Sequence, residues 1–387
     1  MTGNAWKRTP LANYCEVFSG YPFKSSGFTD DPCDIPLVKG ENVGQGEILW
    51  DISKRWSRQA ADELERYKLV SGDVVLAMDR PWVPAGLKFA KITESAPEAF
   101  LVQRVARLRG RGGLVQDFLP HLIASPSFVA YVKNIGRGVG VPHISGKEIG
   151  AFEFLLPPEP VQRQIGFILS AYDDLIENNR RRMALLEEST RLLYREWFVR
   201  LHFPGHEHTS IVDGVPQGWE RGPLEGAMVL QRGFDLPTQN RQDGTVPIYG
   251  STGILGYHDK AKAAAPGVVT GRSGTLGKVQ YVAEDYWPLN TALWVNEFKR
   301  VPPLFALFLL REMDLRKYIG GASVPTLDRK SVHRVEVLIP TSLLLRLFDE
   351  FAADVFAQIK NLDVQNQKLR AARDLLLPRL MSGEIVI

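Results

Sequence analysis

Pro158 to Arg200 reads PEPVQRQIGFILSAYDDLIENNRRRMALLEESTRLLYREWFVR, and its apolar residues recur in a frame that suits one long helix. Val161, Ile165, Ile168, Tyr172 and Leu175, then Leu186, Leu193 and Trp197, hold a seven-residue period instead of drifting around the helix. Such a narrow seam is built to face a second helix. The partner is in the same chain. Leu343 to Met381 carries Phe348, Phe351, Val355, Leu362, Leu369 and Leu376 in the same frame. An offset of 183 converts Ile165, Tyr172, Asn179, Leu186 and Leu193 into Phe348, Val355, Leu362, Leu369 and Leu376. At ~1.5 Å per residue, each helix is expected to be a strut roughly 60 Å long.

Working outward, the chain before the first helix is rich in Gly and Pro and carries short β-type runs: IPLVKGENV, GDVVLAM, LKFAKI, FLVQRVARL and FEFLLP. QDFLPHLIASPSFVAYVKNIG reads as one or two short helices punctuated by Pro120 and Pro126. Residues 1–156 are thus expected to form a mixed α/β domain. Pro157, Pro158 and Pro160 end it, Pro160 standing where a first helical turn tolerates proline. The first spacer helix is placed at 157–200, a turn-rich linker at 201–218, a second α/β domain at 219–340, and a second spacer helix with a C-terminal tail at 341–387. WERGPL from Trp219 echoes WKRTPL from Trp6, and Gly233 echoes Gly20, at an offset of 213. Val324-Pro325 echoes Val141-Pro142 at 183, so the second domain has shorter loops on a retained scaffold. The fold class is α+β: two mixed α/β domains separated by two long helices in an antiparallel coiled coil, with an internal pseudo-twofold repeat. Asn179 falls in the apolar seam, either as a solvated edge position or as a polar mark that fixes register.

A net charge of +3, with 44% hydrophobic and 24% charged residues, describes an ordinary globular chain of two or three domains. Cys15 and Cys33 have no ligand or disulfide spacing, which suits a reducing compartment. The start MTGNAWKRTP lacks the apolar run of a signal peptide, and no apolar stretch is long enough to cross a bilayer. A soluble, cytoplasmic protein with no membrane partner is expected. Catalytic signatures fail. GRSGTLGKV, from Gly271, has Arg272 and Val279 where a phosphate loop needs Gly and Ser or Thr, so it reads as a Gly-rich hairpin. His202, His206, Glu207 and His208 crowd one loop without a second set of ligands, and no GxGxxG follows a strand. The chain therefore reads as a non-enzyme with no metal and no cofactor of its own.

Two similar domains on a rigid spacer suit a repeating linear ligand, and duplex DNA repeats every ~34 Å. In the first domain Lys24, Ser25, Lys39, Asn42, Arg55, Arg58 and Arg80 fall in or beside turns. In the second, Arg232, Gln239, Arg241, Tyr257, Arg272, Ser273 and Lys278 do so. Arg forks onto guanine, Asn and Gln pair with adenine, and Lys meets phosphate, although each type is also at home simply facing water. Trp197 and Phe198, adjacent at a helix end, cannot share one narrow seam, so one is expected to pack on a domain or a partner subunit.

The chain resembles the specificity subunit of a type I restriction-modification system along essentially its whole length. The residues that carry the resemblance are LYREWFVRLHFPGHE from Leu193 and LLPRLMSGEI from Leu376, each closing a long helix. SGYPFKS from Ser19, VPHISGKEI from Val141, LPPEPVQRQI from Leu156 and VPTLDRKSV from Val324 support it. The resemblance implies two target recognition domains, each reading half of a split double-stranded DNA sequence, with the helices as a ruler for the gap. It also implies two modification (methyltransferase) subunits docked on the helices, bringing S-adenosylmethionine and adenine methylation, and restriction (translocase and endonuclease) subunits using ATP. One departure stands out: Thr341, Ser342 and Leu343 replace Pro158, Glu159 and Pro160 at the offset of 183. A methylation-only system, or a self-contained methyltransferase or nuclease, are the competing readings.

Overall fold

The computed structural model describes residues 6–61, 63–135, 142–320 and 325–387. Val141 and Val324, which head two of the quoted motifs, lie outside the described residues. The chain divides into two compact units, Met1–Asn178 with Gln365–Ile387, and Asn179–Val364. The sequence reading set the helices apart as spacers. Instead, each unit contains an α/β module and a portion of both helices, because the helix faces are buried in the module cores.

In the first unit, VVLA at Val74–Ala77 is apolar throughout and buried throughout, as a central strand must be. It lies in an antiparallel sheet ordered Cys15–Ser19, Val105–Gly110, Val74–Ala77, Phe89–Lys91. A second sheet joins Phe100–Leu101, Ile35–Val38, Arg55–Trp56 and Phe28–Thr29, its first pair parallel. Lys7–Pro10 pairs with Glu153–Leu156. The helical stretch resolves into Leu119–Ala124 and Pro126–Ile135, split at the second proline as expected. Gly146–Ala151 begins with a capping box, Ser145 and Glu148 each closing the other's backbone N–H.

The second unit repeats this wiring. Met228–Arg232, Ala292–Phe298, Gly267–Gly271 and Val279–Val282 follow the same antiparallel order. Val246–Tyr249 keeps a parallel neighbour, Trp287–Pro288. Glu220–Pro223 pairs with Glu336–Ile339, in the register that offsets of 213 and 183 dictate. Gly267–Gly271 and Val279–Val282 also confirm the Gly-rich stretch as a hairpin. Gly20 and Gly233 share one cause: a Cβ on either would press into backbone, at Val102 and at Leu289.

The first long helix runs Glu159–Tyr194 and passes into a π-helical turn, Arg195–Val199; the second runs Ser342–Met381. In the first unit Ile165 and Leu169 are buried beside Leu377 and Leu380 in the module core, with Leu376 packed against it. Asn366 Nδ2 donates to the Ile176 carbonyl at 3.3 Å, and Arg373 Nη1 to Asp173 Oδ1 at 2.5 Å. In the second unit Phe348 is fully buried among Tyr194, Trp197, Phe198, Phe305 and Phe308. Val355 and Leu362 are buried, while Tyr172, Leu186, Leu193 and Leu369 are half-buried. Two seam assignments need correction. Leu175 and Phe351 are exposed at 51% and 43%, because a straight helix drifts off a strict seven-residue frame. Asn179 is buried, which sets aside its solvated-edge reading.

The linker reading also changes. Residues 201–218 include a single helical turn at His206–His208 and a hairpin of Ile211–Val212 with Val215–Pro216. Phe203 anchors them on Trp219, ring centres 5.1 Å apart.

Candidate nucleic-acid interface

Five of the sequence-selected residues of the first module gather around its smaller sheet. Lys24 and Ser25 are exposed on the turn before Phe28–Thr29, and Lys39 sits over the Phe28 ring at 5.1 Å while pairing with Glu41. Arg55 and Arg58 are both fixed by Asp34. Its carbonyl accepts from Arg55 Nη1 at 2.8 Å, and its Oδ1 accepts from the Arg58 backbone N–H at 3.0 Å. The hydroxyl of Thr29, with that Arg58 N–H, holds the Asp34 carboxyl below the usual carboxylate range. Arg58 also pairs with Glu98, which Lys68 shares.

Asn42 is a correction. It is 1% exposed, its Nδ2 donating to the Leu37 carbonyl and Ser53 Oγ and its Oδ1 accepting from the Lys39 N–H. A side chain so engaged shapes the loop and has no edge left for a base. Arg80 stands apart from the other five, on the larger sheet's loop, exposed and with φ 44°.

That loop forms a second polar centre which sequence reasoning missed. Asp79 accepts from Arg104 Nη1 at 2.8 Å and meets His143 Nδ1 at 2.7 Å. Burial raises the Asp79 pKa, but the Arg104 and His143 hydrogen bonds more than offset it and keep the carboxyl ionised below its ordinary range. Arg104 and His143 are far from Asp79 in sequence, so no local pattern points to them.

In the second module the smaller sheet carries Gln239 on an exposed turn, Tyr257 at 55% exposure, and Arg241, whose Nη1 reaches the Leu255 carbonyl at 3.5 Å. Lys278 donates to the Thr252 carbonyl at 3.2 Å, joining the hairpin turn to this sheet's loop. The backbone at Arg272 and Ser273 is held by Thr291, and Arg232 pairs with Asp235 at 3.9 Å. Phe198 is another correction. It is 8% exposed against Trp219, Phe305 and Phe348, and so belongs to the module's core. Trp197 is half-buried and lines a surface cleft of about 670 Å³ with Leu192, Leu193, Arg195, Arg200 and Phe351.

Other chemistry is spent locally. His202 bonds Glu196, and His206 bonds the Phe203 carbonyl. Among the described residues no three His, Cys, Asp or Glu side chains converge on a metal position. Burial pushes the Cys15 thiol up to about 12, leaving it a protonated core residue. No described helix is long and apolar enough to cross a membrane.

The fold and surface define a class: a scaffold in which one sheet order occurs twice and each copy presents polar, basic loops. Residues 4–188, just under half of the chain, match the model of the type I restriction modification DNA specificity domain. It is 32% identical over 173 residues to the specificity subunit of the type I restriction enzyme EcoAI of Escherichia coli, covering 44% of this chain but 28% of that one. It is 22% identical over 311 residues to the MjaIX specificity subunit of Methanocaldococcus jannaschii, covering 71% of this chain and 70% of the relative. The crystal structure of the type I restriction-modification S subunit from M. genitalium has a similar fold, with a TM-score of 0.55 at 13% identity, across 98% of this chain and 97% of that one.

Proposed function

We propose that this chain is the sequence-recognition subunit of a type I restriction-modification complex, each module reading one half of a bipartite double-stranded DNA target. The observation that carries the reading is the family match over residues 4–188, joined to a four-stranded sheet order that recurs in the second unit. The two long helices act as an antiparallel coiled coil, with pseudo-twofold symmetry between the halves, and set the gap between half-sites. The pairing of Asp173 with Arg373 and Ile176 with Asn366, one numbering rising as the other falls, supports the antiparallel sense. Asn179 marks register within that seam.

The surface readers are Lys24, Ser25, Lys39, Arg55, Arg58 and Arg80 in one module and Arg232, Gln239, Arg241, Tyr257, Arg272, Ser273 and Lys278 in the other. The chain itself is non-catalytic and cytoplasmic. Methyl transfer from S-adenosylmethionine, and ATP-driven translocation and cleavage, belong to modification and restriction subunits. The cleft at Trp197, with Leu192 and Phe351 exposed at 52% and 43%, is where a modification subunit docks in this reading.

The test is methylome sequencing of a host that expresses the chain with its modification subunit. Adenine methylation at one interrupted sequence is expected, with none from the chain alone. Methylation by the purified chain, or an uninterrupted target, would overturn the proposal.

A further inference from the structure

At the adjoining ends of two strands of the first module's larger sheet, Val74–Ala77 and Val105–Gly110, two arginines take a conformation that L residues rarely adopt. Arg80 has φ 44° and Arg104 has φ 68°. Backbone hydrogen bonds impose this: the Met78 N–H donates to the Arg104 carbonyl at 2.8 Å, and the Arg80 N–H to the Pro142 carbonyl at 2.7 Å. The result is a cleft of about 390 Å³ lined by Ser19, Met78, Gln103, Arg104 and His143. The Arg104 side chain is 64% exposed, whereas Asp79, which grips its Nη1, is 31% exposed. One corner of the guanidinium is thus held by the carboxylate, while its Nε and Nη2 make no hydrogen bond among the described residues. An exposed ion pair contributes too little to offset strained backbone at two neighbouring positions. The arrangement makes sense as presentation of a rigid fork.

We propose that Arg104, buttressed by Asp79 and flanked by His143, reads a guanine edge in the half-site of the first module. The fork geometry matches the O6 and N7 acceptors of guanine in the major groove, and fixing the side chain in advance lowers the ordering cost of binding. The second module provides an internal comparison. There the Arg272 N–H donates to the Thr291 carbonyl at 2.8 Å, as Met78 does to Arg104. Ser273 bridges Thr326 as Asp79 bridges His143. The backbone is kept while Asp79, Arg104 and His143 give way to Ser273, Thr291 and Thr326. A place where the scaffold repeats and the presented chemistry changes is where two half-sites of different sequence would be told apart.

This inference rests on the DNA-recognition reading above, and one experiment separates the two. The full chain, co-expressed with its modification subunit, selects duplexes from a library with a randomised segment, alongside Arg104→Ala, Arg104→Lys and Asp79→Asn. The wild type is expected to return two half-sites, one with a required guanine. Arg104→Ala and Arg104→Lys lose that preference about tenfold or more, Asp79→Asn loses part of it, and the other half-site is unchanged. If Arg104→Ala fails to fold, Arg104→Lys carries the test. Undiminished guanine preference in the folded Arg104 variants, or an even loss of affinity with the motif intact, overturns the assignment and leaves the recognition reading standing. No bipartite motif from the wild type overturns both.

Discussion

Replacing Gln162 by Leu tests how the first module grips its long helix. Gln162 is fully buried one turn into the helix. Its Oε1 accepts from the Val115 N–H at 2.8 Å, and its Nε2 donates to the carbonyls of Gly113 at 2.9 Å and Pro157 at 2.8 Å. Leucine fills a similar volume but leaves three backbone groups without their partner. The Pro157 carbonyl is buried and loses about 1–3 kcal/mol of compensation, while half-buried Gly113 and Val115 recover part of theirs from water. Added apolar burial returns about 1 kcal/mol. The net expectation is a loss of about 2–4 kcal/mol from the first unit. Urea unfolding should register it as a midpoint lowered by roughly 1 M or more, and hydrogen exchange should speed up at the Val115 amide. A loss under about 1 kcal/mol, or a Val115 amide as protected as in the wild type, would refute the clamp.

Phe348→Ala empties a site ringed by five aromatic side chains at 5.3–6.4 Å and should cost the second unit about 3–5 kcal/mol, followed by tryptophan fluorescence during denaturation. Gly233→Ala should destabilise the second unit, because the new Cβ meets the Leu289 carbonyl; a melting temperature equal to wild type would contradict that contact. His121, buried against Ser170 with Asp173, Arg373, Lys91 and Asp117 around it, has its pKa lowered to about 4, chiefly by burial. A pKa depressed in the folded state stabilises while the ring is neutral. That contribution is complete above the unfolded value of about 6.5 and is lost as the pH falls through about 4. His121→Gln should flatten the stability–pH curve across that window, as measured by unfolding at several pH values.

The long helices, the hairpin at Gly271 and the matched starts at Trp6 and Trp219 are local or repeated patterns, and periodicity alone exposes them. The heptad frame nonetheless overreached at Leu175 and Phe351, where the turn of the helix carries the side chain off the seam. At the candidate interface, residue type and turn position selected Arg55, Arg58 and Arg80, but the same rule selected Asn42, which the fold consumes internally. It also passed over Arg104 and His143, because their significance arises only when Asp79 brings them together.

By itself, then, the sequence determined the two long helices, the duplicated α/β module and the resemblance to a specificity subunit, since these are encoded in spacing along the chain. The tertiary structure alone decided which polar side chains are spent within the protein and which face outward. That division depends on hydrogen bonds between residues such as Gln162 and Val115, or Asp79 and Arg104, whose meeting no spacing along the chain specifies.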